Sequence, residues 1–93
     1  MAKKKTDTST AAAVRHSIAV VSRRTGVSQL LLRAWERRYN AVAPQRTATG
    51  RRQYSEQDLE KLTLLHLLTK AGYRIGDIAR HGLEQLRDLA GGI

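Results

Sequence analysis

The chain has 93 residues, no cysteine and a formal net charge of +9. This length suits one small domain with a modest core. The absence of cysteine excludes disulfides, thiolate metal sites and thiol catalysis. No apolar run reaches bilayer-spanning length, and the opening MAKKK has no apolar stretch behind it, so a cytoplasmic protein without a membrane partner is expected.

The charge is unevenly spread. Residues 1–16 carry net +3, residues 17–54 net +7 and residues 55–93 net −1. The middle stretch holds eight arginines, no lysine and a single acid, Glu36. Planar guanidinium groups suit bidentate recognition of phosphates and guanine edges, and charge this lopsided points to a polyanionic partner.

Residues 1–16 are polar and lack apolar periodicity, which predicts a disordered basic tail with order beginning at Ser17. Ser17 is a good N-cap for a helix over Ile18 to Thr25, with Ile18 and Val21 facing inward. Gly26 ends that helix, and Ser28 caps a second from Gln29 to Tyr39. Helix, glycine-containing turn and helix with little between them form a helix-turn-helix.

In the second helix Leu31, Leu32, Trp35 and Tyr39 share one arc, with Arg38 lying over it. Gln29, Arg33, Glu36 and Arg37 fall on the opposite arc, which predicts a cationic face directed at the partner. Trp35 is expected inside, at the junction of this helix with the next segment of the chain.

Pro44 prevents the helix from resuming. The run QRTATGRRQY predicts two short strands near Gln45–Thr47 and Arg52–Tyr54, with Gly50 supplying the left-handed position of a hairpin loop. Arg46, Arg51 and Arg52 cluster there, so the hairpin reads as a basic wing. Ser55 caps a third helix ending at Gly72, with Asp58 at the capping-box position. Its leucines at 59, 62, 64, 65, 67 and 68 spread around much of the circumference, enough to serve as a core pillar and to offer a surface to an effector domain or protein partner. A fourth helix is expected over Ile75 to His81, stopped at Gly82. Residues 83–93 read as a short C-terminal helix or the start of a linker to a dimerisation or effector domain.

Catalytic and metal chemistry find no support. His16, His66 and His81 have no ligand spacing, no phosphate-binding glycine loop occurs, and no nucleophile stands with a base. The four aromatics are dispersed, which argues against a stacking platform for single strands.

From Ser17 to about Ile78 the sequence resembles the DNA-binding domain of the MerR family of bacterial transcription regulators. The residues that carry the resemblance are Val27 and Ser28, then Leu32, Arg33, Glu36 and Arg37, then Pro44, Arg46, Gly50, Arg52 and Tyr54. The form W-E-R-R-Y at 35–39 is similar to the subgroup that often carries a cobalamin-binding, light-sensing domain. The resemblance implies a mainly α, winged helix-turn-helix fold with a short two-stranded hairpin wing, occupying residues 17–82. It further implies a non-enzymatic role in transcription regulation, with double-stranded promoter or operator DNA as partner. The second helix would lie in the major groove and the wing on the flanking backbone. Gln29, Arg33, Arg37, Arg46, Arg51, Arg52 and Tyr54 are the expected DNA contacts. No cofactor is expected in this chain, cobalamin belonging only to a longer parent protein. Alone, the domain is expected to be a monomer or weak dimer. Two competing readings are a phage-type excisionase or other architectural DNA-bending protein, and an antirepressor-like protein-interaction module.

Overall fold

The structure, a computed structural model, describes residues 15–92. The elements run α1 (Ile18–Thr25), α2 (Gln29–Tyr39), β1 (Gln45–Arg46), β2 (Arg52–Gln53), α3 (Glu56–Lys70), α4 (Ile75–Ile78) and α5 (Leu83–Gly91). This is a mainly helical winged helix-turn-helix, as the sequence predicts. Residues 1–14 of the expected basic tail lie outside the described residues.

The caps match their sequence signals. Ser17 accepts a hydrogen bond from the amide of Val20, and Ser28 accepts one from that of Leu31. Each satisfies an amide that the first helical turn leaves without a partner. Between α1 and α2 the chain reverses at Gly26, whose φ of 82° is left-handed and strained for any side chain. The buried Thr25 fastens this turn. Its hydroxyl donates to the Val21 carbonyl at 2.7 Å and accepts from the Val27 amide at 3.2 Å. Helix α2 closes on Asn40, which adopts the left-handed conformation with φ 50°. Asparagine tolerates that region better than most residues.

Strands β1 and β2 pair antiparallel, with Gln45 opposite Gln53 and Arg46 opposite Arg52. Gly50 has φ 85°, as the hairpin loop requires, and its amide donates to the Thr47 carbonyl at 2.9 Å. The order begins earlier than Ser17. His16 and Tyr54 exchange backbone hydrogen bonds of 2.8 Å in both directions, so residue 16 lies against the wing as a third, single-residue rung. Nothing in the side chain of His16 announces that backbone pairing.

Helix α3 is the pillar. Ser55 and Asp58 form the expected capping box, at 2.9 and 3.1 Å. Leu59, Leu62, Leu65 and Leu68 are buried on one face, together with Val21, Val27, Leu32, Trp35, Ile78 and Leu86. At about 25 cal/mol per Å² of apolar area, these side chains supply the main stabilisation of so small a domain. Leu64 is half-buried and Leu67 is 46% exposed, so most of the leucine-rich circumference is spent on the core. Helix α4 is only four residues long and stops at Ala79, short of the expected His81. Gly82 opens α5 rather than stopping α4, with its amide donating to Gln85 Oε1 at 3.2 Å. Helix α5 packs along α3. Leu86 is fully buried, and Arg87 places a two-pronged bond on Glu60 at 2.6 and 2.7 Å. Residues 83–91 thus form a helix packed against α3.

Candidate nucleic-acid interface

The junction of α2 and the wing is built around Glu36. The sequence places this acid on the outward cationic face, and the structure turns it inward. Its side chain is 12% exposed and accepts from Arg52 Nε at 3.0 and 3.2 Å and from the Tyr54 hydroxyl at 2.8 Å. One carboxylate thereby joins α2 to β2 and to the residue after it. The geometry also answers a problem of register. Arg46 and Arg52 stand directly opposite each other across the hairpin, where like charges repel. Glu36 neutralises Arg52, while Arg46 turns to the Gly50 carbonyl at 3.0 Å.

Tyr54 is a correction to the expected set of DNA contacts. Its side chain is fully buried and has no surface to present to a phosphate. Burial, the hydrogen bond to Glu36 and the negative charge of that group all push its phenol well above the usual tyrosine range. Arg52 is half-committed. Its Nε is held by Glu36, yet about a quarter of the side chain remains exposed at the edge of a cleft. That cleft, about 460 Å³, lies between the start of α1 (Ser17, Ile18, Ala19), Arg33 of α2, and Gly50, Arg51 and Arg52 of the wing. The N-terminus of α1, with Arg33, Arg51 and Arg52 converging on it, makes the cleft electropositive.

The remaining expected residues are accessible. Gln29 and Arg33 are half-exposed, whereas Arg37, Arg46 and Arg51 are exposed. Among the described residues none of these four arginines enters an ion pair. The only acid of residues 17–54 is consumed internally, so the outer surface of α2 and the wing is left with uncompensated positive charge.

The burial pattern re-centres α2. Leu32 and Trp35 are its buried residues, Leu31 is 40% exposed, and Leu30 is 76% exposed. On a helical wheel the ridge opposite Leu32 and Trp35 runs Leu30, Arg33, Ala34, Arg37, at i, i+3, i+4 and i+7, with Leu30 and Arg37 exposed and Arg33 and Ala34 half-buried. Grouping residues by polarity, as the sequence invites, leaves Leu30 and Ala34 out of the interface. A wheel centred on Leu32 and Trp35 alone would have found them and put Glu36 on the boundary.

A second ionic cluster, on the surface, ties the N-terminal rung and α1 to the start of α3. Glu56, at the start of α3, takes bonds from Arg24 at 3.0 and 3.4 Å and from the His16 ring. Arg24 foremost, and then His16, hold the Glu56 carboxyl below its ordinary range. Arg24 and Glu56 line a different cleft, between α1 and α3. Among the described residues no three His, Asp or Glu side chains stand together as metal ligands, and no helix is long and apolar enough to cross a membrane.

Residues 16–82 match the family described as MerR HTH family regulatory protein. Over 65 residues the chain is 38% identical to the HTH-type transcriptional repressor CarH of Myxococcus xanthus, a match that covers 70% of this chain and 22% of that protein. The chain thus spans about a fifth of the length of that relative. With the family pattern matched from the N-terminal rung through α4, and with the helix-turn-helix and wing in place, the chain belongs to the MerR HTH family of regulatory proteins.

Proposed function

We propose that this domain binds duplex DNA in a sequence-selective manner and recruits a transcription regulator to its operator. Helix α2 lies in the major groove, and the wing rests on the flanking phosphates. The observation that carries the reading is the inward turn of Glu36, which leaves Arg33, Arg37, Arg46 and Arg51 as one unneutralised surface. A solvated helix would intersperse acids on that face. The cleft between α1, Arg33 and the wing tip suits a backbone phosphate, with Arg51 and the free edge of Arg52 reaching it. Arg33, between this cleft and the outer ridge, is positioned for a guanine edge or a tight phosphate contact.

Within this reading the domain alone is a monomer or weak dimer. Any cobalamin belongs to a further domain of a longer parent protein, not to these residues. In support, the chain corresponds to only about a fifth of its repressor relative.

The test is selection of bound sites from random duplex DNA, followed by anisotropy titration of the selected site. Arg33→Ala should weaken binding by about 1–3 kcal/mol and relax preference at one base pair. An equal loss on all sequences would demote Arg33 to a phosphate contact. Failure to enrich any sequence would remove the sequence-selective reading.

A further inference from the structure

The ridge of α2 opposite Leu32 and Trp35 is half apolar. Leu30 is the most exposed large apolar side chain among the described residues, at 76%. A lone exposed leucine needs no explanation. This one lies two residues past the N-cap, in the first turn of the helix assigned to the groove. Residues in that first turn are the ones that reach base edges in helix-turn-helix proteins. Ala34 continues the apolar strip one turn later, and Arg33 and Arg37 flank it on the same ridge. No carboxylate stands on that ridge, because Glu36 is folded onto Arg52 and Tyr54. A protein partner reached through an apolar anchor would meet this strip set in dense positive charge. Duplex DNA offers both chemistries together: phosphates for the arginines, and a single apolar group on the major-groove edge, the 5-methyl of thymine.

We propose that Leu30, with Ala34 behind it, contacts thymine methyl groups and so selects A·T pairs beside the position engaged by Arg33. The inference rests on the DNA-binding reading above and adds to it the base that the apolar ridge selects. Leu30 determines specificity here by burying its isobutyl group against the methyl. Arginine alone would favour guanine or be indifferent to sequence. Covering one methyl is worth about a fourfold change in affinity.

The test uses the whole chain and a duplex taken from random-sequence selection. Each thymine of the selected site is replaced singly by deoxyuridine, which removes the methyl and leaves every hydrogen-bonding group intact. The expected result is a roughly fourfold loss at one or two thymines for the unaltered protein. Leu30→Ala should lose most of the thymine preference at the position that Leu30 covers. Since Leu30 is exposed, this variant should unfold at the same urea concentration as the parent. If the parent selects a sequence but ignores every thymine-to-uracil change, the proposal is overturned and the DNA-binding reading survives. The proposal is equally overturned if Leu30→Ala keeps the parent's thymine preference. If no duplex is bound even at low salt, the DNA-binding reading itself falls, and this proposal with it.

Discussion

Replacing Glu36 by alanine should damage this domain more than its position on a nominally exposed helix face suggests. The change removes the acceptor of two donors at once, the Arg52 Nε–H, which forks onto both carboxylate oxygens, and the Tyr54 hydroxyl. The Tyr54 hydroxyl, on a fully buried side chain, would lose its acceptor, at a cost of about 1–3 kcal/mol. Arg52 is partly exposed and can regain water, so losing its partner should cost about 1 kcal/mol. The expected total is about 3 kcal/mol, a large share of the ~5–15 kcal/mol typical of a small domain. In a domain of this size that corresponds to a fall in melting temperature of roughly 12–24 °C. Urea unfolding of Glu36→Ala, Tyr54→Phe and the double variant measures it. With Tyr54→Phe already present, Glu36→Ala should cost clearly less, because no hydroxyl is left stranded. A loss below about 1 kcal/mol, or strict additivity of the two changes, would refute the assignment of Glu36 as the buried clasp between α2 and the wing.

Arg51→Ala should flatten the salt dependence of DNA binding by about one unit on a log-log plot, as expected for one lost phosphate contact. Arg52→Ala should change the slope less and lower the urea midpoint more, since part of its charge is committed to Glu36; equal slope changes for the two would argue against that division. Glu56, whose carboxyl is held low by Arg24 and His16, contributes stability that is present above the ordinary carboxylate range and lost as pH falls through its depressed value. Glu56→Gln should therefore reduce the difference between urea midpoints at neutral and strongly acid pH, and an unchanged difference would dismiss the cluster as a stabilising one. Leu86→Ala should cost about 2–5 kcal/mol, as for other fully buried leucines. A cost under about 1 kcal/mol would mean that α5 is peripheral to the fold.

The helices, caps and turns are largely legible in the sequence, because each rests on interactions a few residues long. Ser17, Ser28 and Ser55 act within three residues of themselves. Gly26 and Gly50 answer a local demand for positive φ. The four buried leucines of α3 follow a helical period. The end of α4 is not legible in this way: the helix closes at Ala79, and the glycine that the sequence offers as its stop caps α5 instead.

What the sequence determined by itself was the order of elements and the uneven distribution of charge, both of which depend on neighbours along the chain. Tertiary structure decided which charges are free. Glu36 lies 16 residues from Arg52 and 18 from Tyr54, and His16 pairs its backbone with Tyr54. No local pattern encodes those meetings. Docking the wing against α2 covers most of Glu36 and strips Tyr54 of any surface, and the packing of α2 through Leu32 and Trp35 leaves Leu30 exposed. A helical wheel sorts residues by polarity, whereas burial sorts them by where the rest of the molecule lies. At α2 the two orders differ by enough to exchange a carboxylate for a leucine on the face turned to solvent.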